Sequence, residues 1–90
     1  FNETYPVFSP NGKWMAYTSN EQGPLQIFVR SLVPGEEGKI YVDGGYSPKW
    51  TISGDKLFYR SKNRIMAVSV ATSPKFQLLE QPESIYESSA

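Results

Sequence analysis

Neither cysteine nor histidine occurs anywhere in the 90 residues. The first absence removes disulfides, thiolate nucleophiles and zinc–thiolate sites together. The second removes Ser–His–Asp and Cys–His machinery and imidazole metal sites within the chain. A G-x-S-x-G elbow, a P-loop and a G-x-G-x-x-G loop are missing as well, so neither hydrolase nor kinase chemistry of those types is encoded. Charge of one sign is not in excess. Lys and Arg number 9 and Asp and Glu 9, for a formal net charge of zero. Nucleic-acid and anionic-membrane binding both call for a net basic field, so neither is expected. No apolar run approaches the roughly 18 residues of a membrane span, and no signal-peptide pattern opens the chain. No segment carries a capped 3.6-residue period, so helix content near zero is expected. No enzyme activity, cofactor or metal is expected of these residues.

What is present is apolar and aromatic. Hydrophobic residues make up 39% and aromatics 14%, too much for a disordered segment. Ninety residues fit one small domain that buries about 60–65% of its unfolded surface. The chain opens on Phe1 rather than Met, which reads as a segment of a longer protein.

Ser9-Pro10-Asn11-Gly12 is a turn signal: Pro presets φ, Asn tolerates the next position, and Gly accepts the left-handed conformation that closes a hairpin. Strands are expected at 5–8, 14–19, 25–32 and 39–42, with loops at 20–24 and 34–38 and a turn at Asp43-Gly44-Gly45. Residues 14–17 are apolar at consecutive positions, so that strand should be covered on both faces. The pattern then returns. Phe8 falls on Trp50, Gly12 on Gly54, Tyr17 on Tyr59 and Ser19 on Ser61, each at an offset of 42 residues. Beyond Tyr59 the offset shortens to 38, Ile27 answering Ile65, because the 20–25 loop shrinks to Lys62-Asn63. The second copy predicts strands at 48–51, 56–61, 64–70 and 76–80, followed by a polar tail. A repeat of this length built from short strands predicts an all-β fold of two consecutive four-stranded antiparallel propeller blades, 1–45 and 46–90. Two blades cannot close a ring. Further blades would lie outside these residues, or three copies of the chain would assemble around an axis.

Phe8-Ser9-Pro10-Asn11-Gly12-Lys13 followed by Ala16-Tyr17-Thr18-Ser19 resembles the blade motif of TolB-like, PD40-type (WD40-like) propellers, with Asn11 where that motif has Asp. Residues 2–6, 17–21 and 27–30, then Gly44-Gly45-Tyr46-Ser47-Pro48-Lys49-Trp50 and 57–61, resemble more closely the propeller C-terminal to bacterial serine/threonine protein kinases. The resemblance implies a six-bladed propeller when complete, a sensory or scaffolding role as an appendage, and an extracytoplasmic or periplasmic setting. It implies a binding platform for a protein, a peptide or a small ligand. A gating propeller of a prolyl-oligopeptidase-type peptidase is the enzyme-class alternative, and it requires a G-x-S-x-G elbow and a His elsewhere in the polypeptide.

Candidate site residues follow from where loops emerge. In a four-stranded blade the strand 2–3 loop and the connection to the next blade share one rim, here 20–24, Asp43 to Tyr46, and Lys62-Asn63. A ligand surface is expected there, with Tyr46, Arg60 and Asn63 as its residues. Asp43 could join a cation site, but a lone Asp before Gly-Gly is more often a turn residue. The carboxylates Glu36-Glu37 and Glu80, Glu83 and Glu87 read as solvated. Lys49, Lys56, Arg60, Lys62 and Arg64, interleaved with Trp50, Phe58 and Tyr59, could form a stacking platform for an anionic strand. Zero net charge favours strand-flanking charges instead.

Overall fold

The computed structural model describes residues 3–20, 23–35, 38–72 and 75–87. Their regular elements are all strands: β1 (Glu3–Phe8), β2 (Trp14–Ser19), β3 (Gln26–Ser31), β4 (Lys39–Gly44), β5 (Tyr46–Trp50), β6 (Lys56–Ser61), β7 (Arg64–Ala71), β8 (Gln77–Leu78) and β9 (Glu83–Glu87). Strands β1–β4 make one antiparallel sheet in chain order, and β5–β9 make a second. Gly45 alone separates them.

The expected tight turns form, and they match. Gly12 N–H donates to the Ser9 carbonyl at 2.9 Å, and Gly54 N–H to the Thr51 carbonyl at 3.0 Å. Both glycines are left-handed, at φ 74° and 77°. In the first turn Asn11 Oδ1 accepts from the Ser9 hydroxyl (2.6 Å) and the Lys13 N–H (3.0 Å). Asp55 Oδ1 does this work in the second, accepting from the hydroxyls of Ser53 (2.7 Å) and Thr51 (3.0 Å). Those two bonds hold the Asp55 carboxyl below its ordinary 3.8. A depressed carboxyl contributes stability above its unfolded-state value and loses it as pH falls through the folded-state value. Melting curves on the acid side should therefore show a small loss, absent in Asp55→Asn, whose amide oxygen still accepts.

The bulges repeat as well. Pairing slips between Thr4 and Val7 in β1, and again between Tyr46 and Lys49 in β5. These are the same places in the two copies, and each bulge holds a proline, Pro6 or Pro48. A bulge is where a strand tolerates the missing N–H.

Register sorts the strands into faces, because cross-strand partners share one. On the first sheet Ala16 pairs with Val29, and Ile27 lies two residues from Val29. With Trp14 and Val42 they enter the core, where Leu57, Tyr59, Val68 and Val70 of the second sheet meet them. Two indoles pin the sheets together. Trp14 Nε1–H donates to the Thr72 carbonyl at 2.8 Å, and Trp50 Nε1–H to the Val7 carbonyl at 3.1 Å. Phe76 lies between them, 5.9 Å from the Trp14 ring and 6.1 Å from the Trp50 ring. On the far side of the first sheet, Tyr17 and Phe28 are buried and stacked at 5.9 Å, Tyr41 meets Phe28 edge-on, and Lys39 Nζ lies 4.8 Å from the Phe28 ring centre. Strand β2 is thus covered on both faces, as its apolar run predicts.

Three expectations are corrected. The strand expected at 76–80 is only Gln77–Leu78, which pairs with the end of β7 at Val70 and Ala71. The rest of β7's edge is taken by β9, from the stretch read as a polar tail, so the second sheet has five strands and not four. An edge strand needs only backbone pairing and one apolar pair, here Ile85-Tyr86, so its sequence signal is weak. The Asp43-Gly44-Gly45 turn is likewise mostly strand: Asp43 and Gly44 end β4, and Tyr46 already begins β5.

Candidate functional rim

The hinge between the sheets organises one rim. Gly45 N–H donates to the Leu25 carbonyl at 3.1 Å, bringing the end of the β2–β3 loop to the connection. Asp43 beside it is fully engaged: Oδ2 accepts from the Tyr59 hydroxyl at 2.5 Å and Oδ1 from the Gly44 N–H at 2.8 Å. Burial, and then the bond and charge of Asp43, push the Tyr59 phenol far above its ordinary range, so it stays a proton donor. Asp43 is therefore a structural acceptor across the hinge. Among the described residues no three acidic side chains cluster to hold a metal.

Tyr46 and Arg60 are direct cross-strand partners in β5 and β6, so these two lie in strands at the rim and not in loops. Asn63 belongs to the two-residue turn between Ser61 and Arg64, where Lys62 is left-handed at φ 57°. The structure brings two of the three candidates into one hollow. Arg60 and Asn63 line a depression of about 210 Å³ with Arg64, Ile65 and Tyr86. Arg60 and Ile65 also line a neighbouring one of about 390 Å³ with Ser47, Lys49, Phe58 and Tyr59. Tyr46, half-buried, lines neither. Ser47 sits in the left-handed region at φ 56°, which is uncommon for a residue other than Gly and strained before proline. The bulge imposes it and turns the chain beside Arg60.

Among the described residues no carboxylate lines either depression, whereas Lys49, Arg60 and Arg64 do. A cationic wall over the apolar floor of Phe58 and Ile65 suits a ligand with an anionic group and an apolar body. Ile65 and Tyr86 escape notice in the sequence because they lie more than 20 positions apart on different strands; only pairing along β7 joins them. Of the other candidates, Glu80 and Glu83 are exposed and share a small depression with Lys56. The Glu36-Glu37 pair lies outside the described residues.

Comparison of the chain with protein-family models, with curated proteins and with solved structures found no match in any of the three.

Proposed function

We propose that the chain is a non-catalytic binding module, built as two successive blades of a propeller, with its partner held at the Tyr46–Arg60–Asn63 rim. One observation carries the reading. In a sandwich related by a two-fold axis, equivalent residues of the two sheets would face each other. Here Ala16, Ile27 and Val29 point at the second sheet, while their repeat counterparts Phe58, Ile65 and Ala67 share the face that points away from the first. The residues that do point back, Leu57, Tyr59 and Val68, answer Met15, Tyr17 and Arg30 on the far side of the first sheet. Head-to-tail stacking of this kind continues from sheet to sheet, which is how blades succeed one another around an axis.

A binding role fits a rigid scaffold that presents a cationic and apolar hollow at one rim without histidine or cysteine for chemistry. The reading is tested by selecting peptides from a random library on the immobilised chain. Selected peptides should bind at least ~tenfold more weakly to Arg60→Ala and Asn63→Ala. Peptides indifferent to both changes would put binding elsewhere. Turnover of a generic ester, peptide or nucleotide by the purified chain would overturn the non-catalytic assignment.

A further inference from the structure

Asn11 is the only asparagine of the chain that precedes a glycine. A peptide nitrogen following asparagine can close a five-membered ring on the side-chain amide, and glycine has no Cβ to shield that nitrogen. Both residues are exposed, and a Cβ built on Gly12 would meet nothing within 4 Å. Water therefore reaches the pair. The second copy has Ser53 before Gly54, so this chemistry belongs to the first turn alone. The same turn holds the two sheets together. The Thr72 carbonyl accepts from Trp14 Nε1–H at 2.8 Å and from Asn11 Nδ2–H at 3.4 Å, and Ser9 Oγ accepts from the Trp14 N–H at 3.1 Å.

The closed turn acts on the amide in two opposed ways. Ser9 Oγ–H and Lys13 N–H both point at Asn11 Oδ1, where they would favour the oxyanion that attack on Cγ creates. Against this, Gly12 N–H donates to the Ser9 carbonyl at 2.9 Å, which stabilises the protonated nitrogen. No oxyanion forms until that nitrogen gives up its proton, and ring closure consumes the bond that closes the turn. Protection wins.

We propose that Asn11 is a modification site gated by its own turn, and that its isoaspartyl product releases the contact with the second sheet. When the turn opens, Gly12 N loses its proton to water or hydroxide and attacks Asn11 Cγ. The Cγ–N bond forms, the Cγ–Nδ2 bond breaks, and Nδ2 takes up a proton and leaves as ammonia. One water then opens the cyclic imide. Cleavage at Cγ returns an ordinary aspartyl residue; cleavage at the main-chain carbonyl leaves the backbone running through the side chain, one methylene longer. The aspartyl form still accepts from Ser9 and Lys13 and loses only the Nδ2 donor. The isoaspartyl form cannot rebuild a turn whose length is set by the Ser9-to-Gly12 bond, and Trp14 lies two residues beyond it.

The test incubates the whole chain in weakly alkaline buffer, folded and in guanidinium chloride, and follows the amide-to-carboxyl mass gain at Asn11 by peptide mapping. The folded chain should react at least ~tenfold more slowly, because only the open turn reacts. An equal or faster rate in the folded chain overturns the gate. No conversion at Asn11 in denaturant overturns the site itself. Ser9→Ala removes the hydroxyl that bridges Asn11 Oδ1 and the Trp14 N–H, and its reaction in buffer should be at least ~threefold faster than the parent's. A slower reaction would mean that the hydroxyl promotes attack, and would overturn protection by the turn. Should circular dichroism show that Ser9→Ala does not fold, the comparison of the folded and denatured parent still decides the gate. The two product fractions are then separated and compared with Asn11→Asp by tryptophan emission. A red shift is expected in the isoaspartyl fraction alone; unshifted emission there overturns the release of the second sheet.

Discussion

Gly45→Ala is expected to cost the fold about 3 kcal/mol or more, and to lower the melting temperature by at least ~12 °C in a chain of this length. Two independent causes add. Gly45 has φ 150°, a region that residues with a Cβ rarely enter. A Cβ built there would also lie 2.5 Å from the Arg60 carbonyl oxygen and 3.0 Å from Tyr59 Cδ2. The first obstacle is β6 backbone paired on both sides, with Tyr46 and with Ile65, which cannot swing aside as a side-chain tip would. Moving it would disturb the Tyr46–Arg60 pair and the Tyr59–Asp43 bond together. The control is Gly12→Ala, in the left-handed region at φ 74° but with open space around it. It should cost only about 1 kcal/mol, from backbone strain alone. Thermal unfolding followed by circular dichroism decides between them. Equal losses at the two positions would mean that the close approach at the hinge does not matter. Total stability for a domain of this size runs at about 5–13 kcal/mol, so the hinge variant should remain partly folded at low temperature.

The second large effect is Phe76→Ala, expected at about 3–5 kcal/mol. Phe76 is 5% exposed and touches both tryptophans, so its removal opens a cavity at the one place where an aromatic contacts the pinning indole of each sheet. Trp14 and Trp50 are the chain's only tryptophans, which makes the measurement specific. Emission should shift to the red in the native state, and denaturant unfolding should move to a lower midpoint. Phe76→Leu, which keeps most of the volume, should recover more than half of the loss. If emission is unchanged and the unfolding free energy stays within ~0.5 kcal/mol of the parent, Phe76 does not bridge the indoles in solution. The stack would then rest on the two indole hydrogen bonds and the aliphatic contacts.

Much of this architecture was legible in the residues. The strands expected at 14–19 and 56–61 form at those bounds, and Gly12 and Gly54 close turns as a Pro-Asn-Gly and a Ser-Gly signal predict. The departure at Asn11 leaves its turn intact, because the amide Oδ1 accepts from the Ser9 hydroxyl and the Lys13 N–H as a carboxylate would. Strand β9 was not legible. Its sequence is polar, and it became a strand because β8 leaves most of the β7 edge unpaired. Reasoning about rims singled out Arg60 and Asn63, which the fold brings to one hollow, but not Ile65 and Tyr86, which line it with them.

By itself, then, the sequence determined an all-β chain, the positions of its hairpins, its repeat, and the absence of histidine and cysteine chemistry. These properties are written in stretches of a few residues, through φ preferences, turn chemistry and alternation. Tertiary structure decided which face of each sheet turns inward, and so which cations are left outside. Side chains alternate with a period of two, and a slip of one residue in pairing exchanges the faces. The bulges at Thr4/Val7 and Tyr46/Lys49 make that choice. Gly45 enforces it, since only a residue without a Cβ lets β5 turn away so close to the Arg60 carbonyl.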